Sequence, residues 1–191
     1  MAYTRIHPIK TTLNKALAYI ENPDKTSGYM LVSGYNCDPV SASLDFAMTA
    51  ELAERVSGNY TKTGGANVLA EHMIQSFSYD DKITPEQAHR NAIELAENTR
   101  AWRGFEVLIA THVDRGHIHS HFIVNSVSYE DGHKLRWSKH DLKDLKERND
   151  EQCLEQGLHV TEKGKTFSGD AREDTVAYKK DTYQLLKQAE K

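Results

Sequence analysis

The stretch THVDRGHIHSHFIVN, residues 111–125, holds four of the chain's ten histidines: His112, His117, His119 and His121. Imidazoles bind metals and carry protons near neutral pH, so their spacing decides what chemistry is open. With a period of two, His117, His119, His121, Ile123 and Asn125 share one face of a strand. Ile118, Ser120, Phe122 and Val124 share the other. Along a strand, i and i+2 lie roughly 6.6 Å apart and i and i+4 roughly 13 Å. With imidazole–zinc bonds of about 2.0–2.1 Å, His117 and His121 cannot share one ion, whereas an i, i+2 pair can. That pair is 117/119 or 119/121, with His119 common to both. The run EVLIAT, residues 106–111, precedes His112 and is β-rich, and Val113-Asp114-Arg115-Gly116 has turn chemistry. The two runs form a β-hairpin. If His112 lies opposite His117 or His119, it points to the same face and joins the pair. A metal held by three imidazoles is the expected outcome.

These residues must be positioned by a fold. Residues 2–10 read as a first strand, kept short or at an edge by Pro8. A helix capped by Thr11 or Thr12 runs to about Asn22, where Pro23 stops it. Its stripe is Leu13, Ala16, Leu17 and Ile20, and Tyr19 lies about 110° from the stripe's centre, on the flank. A strand over 29–33 follows, then a helix from Ser41 or Ser43 to about Val56. GNYTKTGG, residues 58–65, reads as a flexible connector. VLAEHMIQSFS, residues 68–78, is a strand, with Glu71, His72, Gln75, Ser76 and Ser78 as polar candidates for the site. Thr84-Pro85-Glu86-Gln87 opens a helix to about Arg100, with Ala88, Ala92, Leu95 and Ala96 inward and His89 exposed. Strands over 105–112 and 118–127 come next. Trp137 packs beneath a last helix, which Ser138 caps and Gly157 ends. The order is β-α-β-α-β-α-β-β-α. That implies an α+β fold: a mostly antiparallel sheet with helices on one face.

Composition narrows the class. The chain has 191 residues, 38% hydrophobic and 27% charged, enough for one core. No run approaches a membrane span and MAYTRIHPIK lacks the core of a signal peptide, so the expected location is cytoplasmic. Cys37 and Cys153 have no ligand spacing, which suits a reducing compartment. A net charge of −4 counts against a general nucleic-acid binder but leaves room for a local basic groove. No DNA-binding residues can be named from it. Residues 1–160 are expected to be the catalytic domain. Residues 161–191, polar and then helical from 176, are expected to lead into further domains.

Three motifs carry a resemblance. H-x6-H-x-H followed by an apolar run ending in Asn, here His112, His119, His121 and FIVN, resembles the third motif of conjugative relaxases. These are mobilisation nucleases (MobP-like) of the HUH endonuclease superfamily. LAYIENPDKT, residues 17–26, resembles their first motif, and 68–78 their second, a strand ending in Ser-Phe. The resemblance implies His112, His119 and His121 as metal ligands, with His117 between them as a variable or supporting position. It implies Tyr19 as nucleophile. It also implies a five-stranded antiparallel sheet with the histidines at its centre and DNA on the open side.

The implied reaction is transesterification. Tyr19 attacks a phosphodiester of single-stranded DNA at a transfer origin, leaving a 5′-phosphotyrosine and a 3′-hydroxyl. A hairpin at the origin and accessory transfer proteins are expected partners; a membrane is not. A phenol is a weak nucleophile at neutral pH without help from a base or cation. An ion on three neutral imidazoles would keep its charge for the phosphate oxygens. Imidazole donors suit zinc, nickel, copper or manganese better than magnesium. The resemblance implies manganese or magnesium in action. Asp114, Glu71 and Asn125 are candidates to anchor the imidazoles, and His72, His117 or Asp114 to act as base. The rival readings are a metal-dependent hydrolase or oxygenase on a small molecule and a non-catalytic, metal-braced DNA-binding module.

Overall fold

The computed structural model describes residues 3–57 and 68–160. Its elements run β1 (Tyr3–Ile9), α1 (Leu13–Ile20), β2 (Val32–Tyr35), α2 (Ala42–Ser57), β3 (Ala70–Ser76), α3 (Pro85–Asn98), a 3-10 turn (Arg100–Trp102), β4 (Val107–His112), β5 (His119–Asn125) and α4 (Lys139–Glu155). The strands form one five-stranded sheet in the order β1-β3-β5-β4-β2. Every pairing is antiparallel. This is the α+β architecture expected from the alternation of apolar periods. The expected connector over 58–65 and the expected tail over 161–191 lie outside the described residues. No helix among the described residues is long and apolar enough to cross a membrane.

The β4–β5 hairpin is the middle of the molecule. Every residue of both strands is buried. Strands buried on both faces need a layer on each side, and the helices supply two. On one side Ala92, Leu95 and Ala96 of α3 and Leu145 of α4 pack with Met73, Val107, Ile109, Phe122 and Val124. On the other, Leu17 and Ile20 of α1 and Ala42 and Phe46 of α2 pack with Ala70, Leu108, Ala110 and Ile123. The expectation of helices on one face is thereby corrected: the histidine face is itself partly covered, by α1 and α2.

Local differences have physical reasons. Thr12 does not cap α1; it sits at φ 58° and its side chain makes no capping bond. The helix ends at Ile20, before Asn22. β2 starts three residues later than expected because Ser27, Gly28 and Tyr29 all take positive φ and keep the chain turning. Pro8 stands in β1, an edge strand, where its missing N–H leaves no gap inside the sheet. Thr84 caps α3 by accepting from the Gln87 N–H. Trp137 packs against the core, with its ring 6.2 Å from that of Trp102.

His89 is a clear correction. It is buried, not exposed, and lies between strands and helix. Its Nδ1 is 3.0 Å from Thr111 Oγ1, which is 2.8 Å from Ser120 Oγ, and its Nε2 is 2.9 Å from Ser33 Oγ. A surface histidine and a buried, fully bonded one have the same spacing along a helix. Only the polar faces of β2, β4 and β5 beneath it decide between them.

Candidate active site

The hairpin register brings the imidazoles together. His112 is the direct partner of His119 across β4 and β5. His121 lies two residues further on the same face, opposite Ala110 and Ile74. One donor nitrogen from each of His112, His119 and His121 lies within 4.8 Å of the others. Closing on a first-row ion at about 2.0–2.1 Å asks for a contraction of under about 1 Å. Two of these donors, His112 Nδ1 and His121 Nε2, are buried without a hydrogen-bond partner. Buried polar atoms without partners are rare in folded proteins, and a cation between them would satisfy both.

The other ring nitrogens are anchored. His112 Nε2–H donates to the Ile20 carbonyl on α1 at 2.9 Å. His119 Nδ1–H donates to the His117 carbonyl at 3.3 Å. His121 Nδ1 is 2.9 Å from His72 Nε2 on β3. The two carbonyls fix the His112 and His119 tautomers with a lone pair left for an ion, and His121 matches them when its Nδ1–H is the donor to His72. Burial holds all three below the ordinary histidine value, and neighbouring imidazoles add to it at two of them: His119 is pushed down to about 4 and His121 well below its usual range. His112 is lowered by burial, although its bond to Ile20 opposes this. His72 is pushed down to about 4 by burial and by His7 and His112. At neutral pH the cluster is therefore uncharged and ready to donate electron pairs. The residues fit a divalent ion.

Tyr19 projects from α1 beside the cluster. Its ring stands edge-on to His112 at 5.9 Å and to His121 at 6.3 Å between centroids. The position follows from the stripe: Leu17 and Ile20 are buried under the sheet, and Tyr19 lies at its flank, packed only in part. Lys25, on the loop after α1, holds its Nζ 4.0 Å from the Tyr19 ring centroid.

The other sequence candidates divide by face. His72 faces the cluster, since it pairs with Ile123. Glu71 does not: it pairs with Val124, which packs under α3 and α4, so strand alternation sends it to the far side. Gln75 is also on the far side, donating to Asn149 of α4 at 2.6 Å. Ser76 lies opposite His119 in the register. Ser78 lies beyond the strand and accepts from the Asp80 N–H in a turn. Asn125 shares the histidine face but lies too far along it. It bonds Glu106 Oε2 at 2.5 Å and the Phe46 carbonyl at 3.3 Å, and no imidazole. Asp114 pairs with Lys25 at 3.6 Å. His117 contributes its carbonyl to His119, while its own ring packs edge-on against Tyr79 at 4.8 Å. Lys25 escaped the sequence reading, although it sits inside LAYIENPDKT; a lone lysine in a polar loop carries no periodic signal.

The chain is similar to known proteins over most of its length. The family described as "Relaxase: MobA/VirD2-like, nuclease domain" matches residues 19–158. Protein rlx of Staphylococcus aureus is 35% identical over 164 residues, 86% of this chain and 46% of that protein. A second S. aureus Protein rlx is 32% identical over 162 residues, 85% of this chain and 44% of its own length. The group II intron-interrupted relaxase LtrB of Lactococcus lactis subsp. cremoris is 39% identical over 144 residues, 65% of this chain and 25% of that protein. The chain thus spans less than half the length of these relatives. With most of its length matched, from Tyr19 to beyond α4, the chain belongs to the MobA/VirD2-like relaxase family, as its nuclease domain.

Proposed function

We propose that this chain nicks and rejoins one strand of DNA at a transfer origin, during conjugative movement of a mobile element, through a covalent 5′-phosphotyrosine at Tyr19. The observation that carries the reading is a phenol standing edge-on to two of three clustered, uncharged imidazoles. Tyr19 Oη forms the new bond to phosphorus as the bond to the 3′ oxygen breaks. The phenol gives up a proton and the 3′ oxygen gains one, so no water is consumed. The ester energy is retained, and the reverse attack reseals the strand. His112, His119 and His121 hold the metal in this reading. A bound divalent ion supplies positive charge to the phosphate oxygens as negative charge builds there. Manganese is the proposed working ion, with magnesium as alternative and zinc or nickel able to bind. His72, Ile20 and His117 orient the ligands through the ring nitrogens they occupy. Accessory transfer proteins, a hairpin at the origin, a cytoplasmic location and further domains after about residue 160 belong to the same proposal.

The test is a nicking assay on labelled single-stranded origin DNA, with and without metal. Tyr19→Phe is expected to abolish the covalent adduct while leaving DNA binding within about threefold of wild type, because one hydroxyl is removed and no charge. His119→Ala is expected to lower metal affinity and nicking together. Two free ends with no protein–DNA adduct would instead mean hydrolysis. An adduct that persists in Tyr19→Phe would move the nucleophile elsewhere.

A further inference from the structure

We infer that Lys25 is the electrostatic partner of the nucleophile, lowering the barrier to nicking and to rejoining alike by stabilising developing negative charge on the Tyr19 ring. The inference rests on the relaxase reading above. The Lys25 ammonium lies over the ring face, 4.0 Å from its centroid. A cation is attracted to any aromatic face. It is attracted more strongly to a phenolate, whose charge spreads into the ring. The contact is therefore tighter while Tyr19 is attacking or leaving than when it is a resting phenol, and only such a difference accelerates a reaction.

Lys25 is held there by contacts from two directions. Its own N–H donates to the Asn22 carbonyl at 3.0 Å, and its carbonyl accepts from the Val113 N–H at 2.9 Å. The second bond ties the loop after α1 to the residue between His112 and Asp114. The next residue, Thr26, is fully buried and donates its hydroxyl to the Asn22 carbonyl at 2.9 Å. The Lys25 side chain is only 18% exposed, and its Nζ is 3.6 Å from Asp114 Oδ2. A lysine that only met solvent or drew in DNA would not be tied on both sides or aimed at one ring.

The consequence is kinetic. Tyr19 is the attacking group in nicking and the leaving group in rejoining, so both pass through the same charge distribution. Loss of Lys25 should slow both and leave the balance between intact and nicked strands where it was. The experiment compares wild type, Lys25→Met, Lys25→Gln and Lys25→Arg on labelled origin oligonucleotide at saturating concentration. It measures nicking rate, rejoining rate, the nicked fraction at equilibrium, oligonucleotide Kd and manganese affinity. In Lys25→Met, which keeps the aliphatic stem, both rates are expected to fall roughly thirtyfold. The nicked fraction and the manganese affinity should each stay within about twofold, with Arg restoring much of the rate. Lys25→Gln supplies the same comparison if the Met variant does not fold. Wild-type rates in the neutral variants would overturn the inference. So would a loss confined to oligonucleotide affinity, which would make Lys25 an ordinary phosphate contact. A changed nicked fraction would equally overturn it, since that places the contact on one end state. Tyr19→Phe run alongside separates the two levels: an active Phe variant removes the nucleophile reading itself, whereas an inactive one beside a fully active Met variant removes only the role of Lys25.

Discussion

His121 is fully buried among four aromatic neighbours, and His72 is the one that bonds it, at 2.9 Å to its Nδ1. With His121 Nδ1–H as the donor in that bond, Nε2 would be left to an ion in the proposed site. Partners of this kind typically contribute tenfold to a hundredfold in metal affinity. His72→Phe, which retains a ring but no acceptor, is therefore expected to weaken manganese binding about tenfold or more by calorimetry. The fold should survive, because a phenyl ring fills nearly the same space. Affinity within twofold of wild type would show that packing alone orients His121.

At the scale of elements, the helices matter by what their ends and faces secure. α1 presents Tyr19 and, through the Ile20 carbonyl, also fixes the His112 tautomer. A single helix thus positions Tyr19, the proposed nucleophile, and one imidazole together. α4 is fixed at its start by a capping box between Ser138 and Asp141 and inserts Leu145 into the core under β4 and β5. Ser138→Ala removes the acceptor for the Asp141 N–H. The expected loss is about 1 kcal/mol, read as a lower urea midpoint with unchanged slope. A shift near zero would mean that Leu145 and the Gln75–Asn149 bond hold the helix without its cap.

For the whole molecule, burial of uncharged imidazoles couples stability to pH. His72, His89 and His119 are each pushed down to about 4, chiefly by burial. In the unfolded chain a histidine titrates near 6.5. Between those values the unfolded state binds more protons than the native state, so stability rises with pH across that window and falls on acidification. Above about 6.5 these groups contribute no slope, and below about 4 their loss is complete. His89 is the clean probe, since it lies on the face away from the three-histidine cluster. His89→Gln is expected to flatten the fall between pH 7 and pH 4 in the metal-free protein, by up to roughly 3 kcal/mol. Urea titrations at several pH values measure it, and an unchanged slope in the variant would reject burial of His89 as a source.

The alternation of residues 117–125 was enough to put His117, His119 and His121 on one face, and the short turn before them put His112 on the neighbouring strand, opposite either His117 or His119. Likewise the α1 stripe put Tyr19 on a flank. Both are properties of backbone periodicity, which a local run of residues expresses by itself. Periodicity could not choose between the 117/119 and 119/121 pairs. It also could not say what lies over each face. Glu71 and His72 are adjacent, yet only the register of β3 against β5 sends one away from the cluster and the other into bonding distance of His121. His89 became buried and Lys25 came to rest over Tyr19 for the same reason: distant segments pack there. Side-chain direction along one element is local, whereas the partner that it meets depends on pairings across the chain, and those form only in the folded molecule.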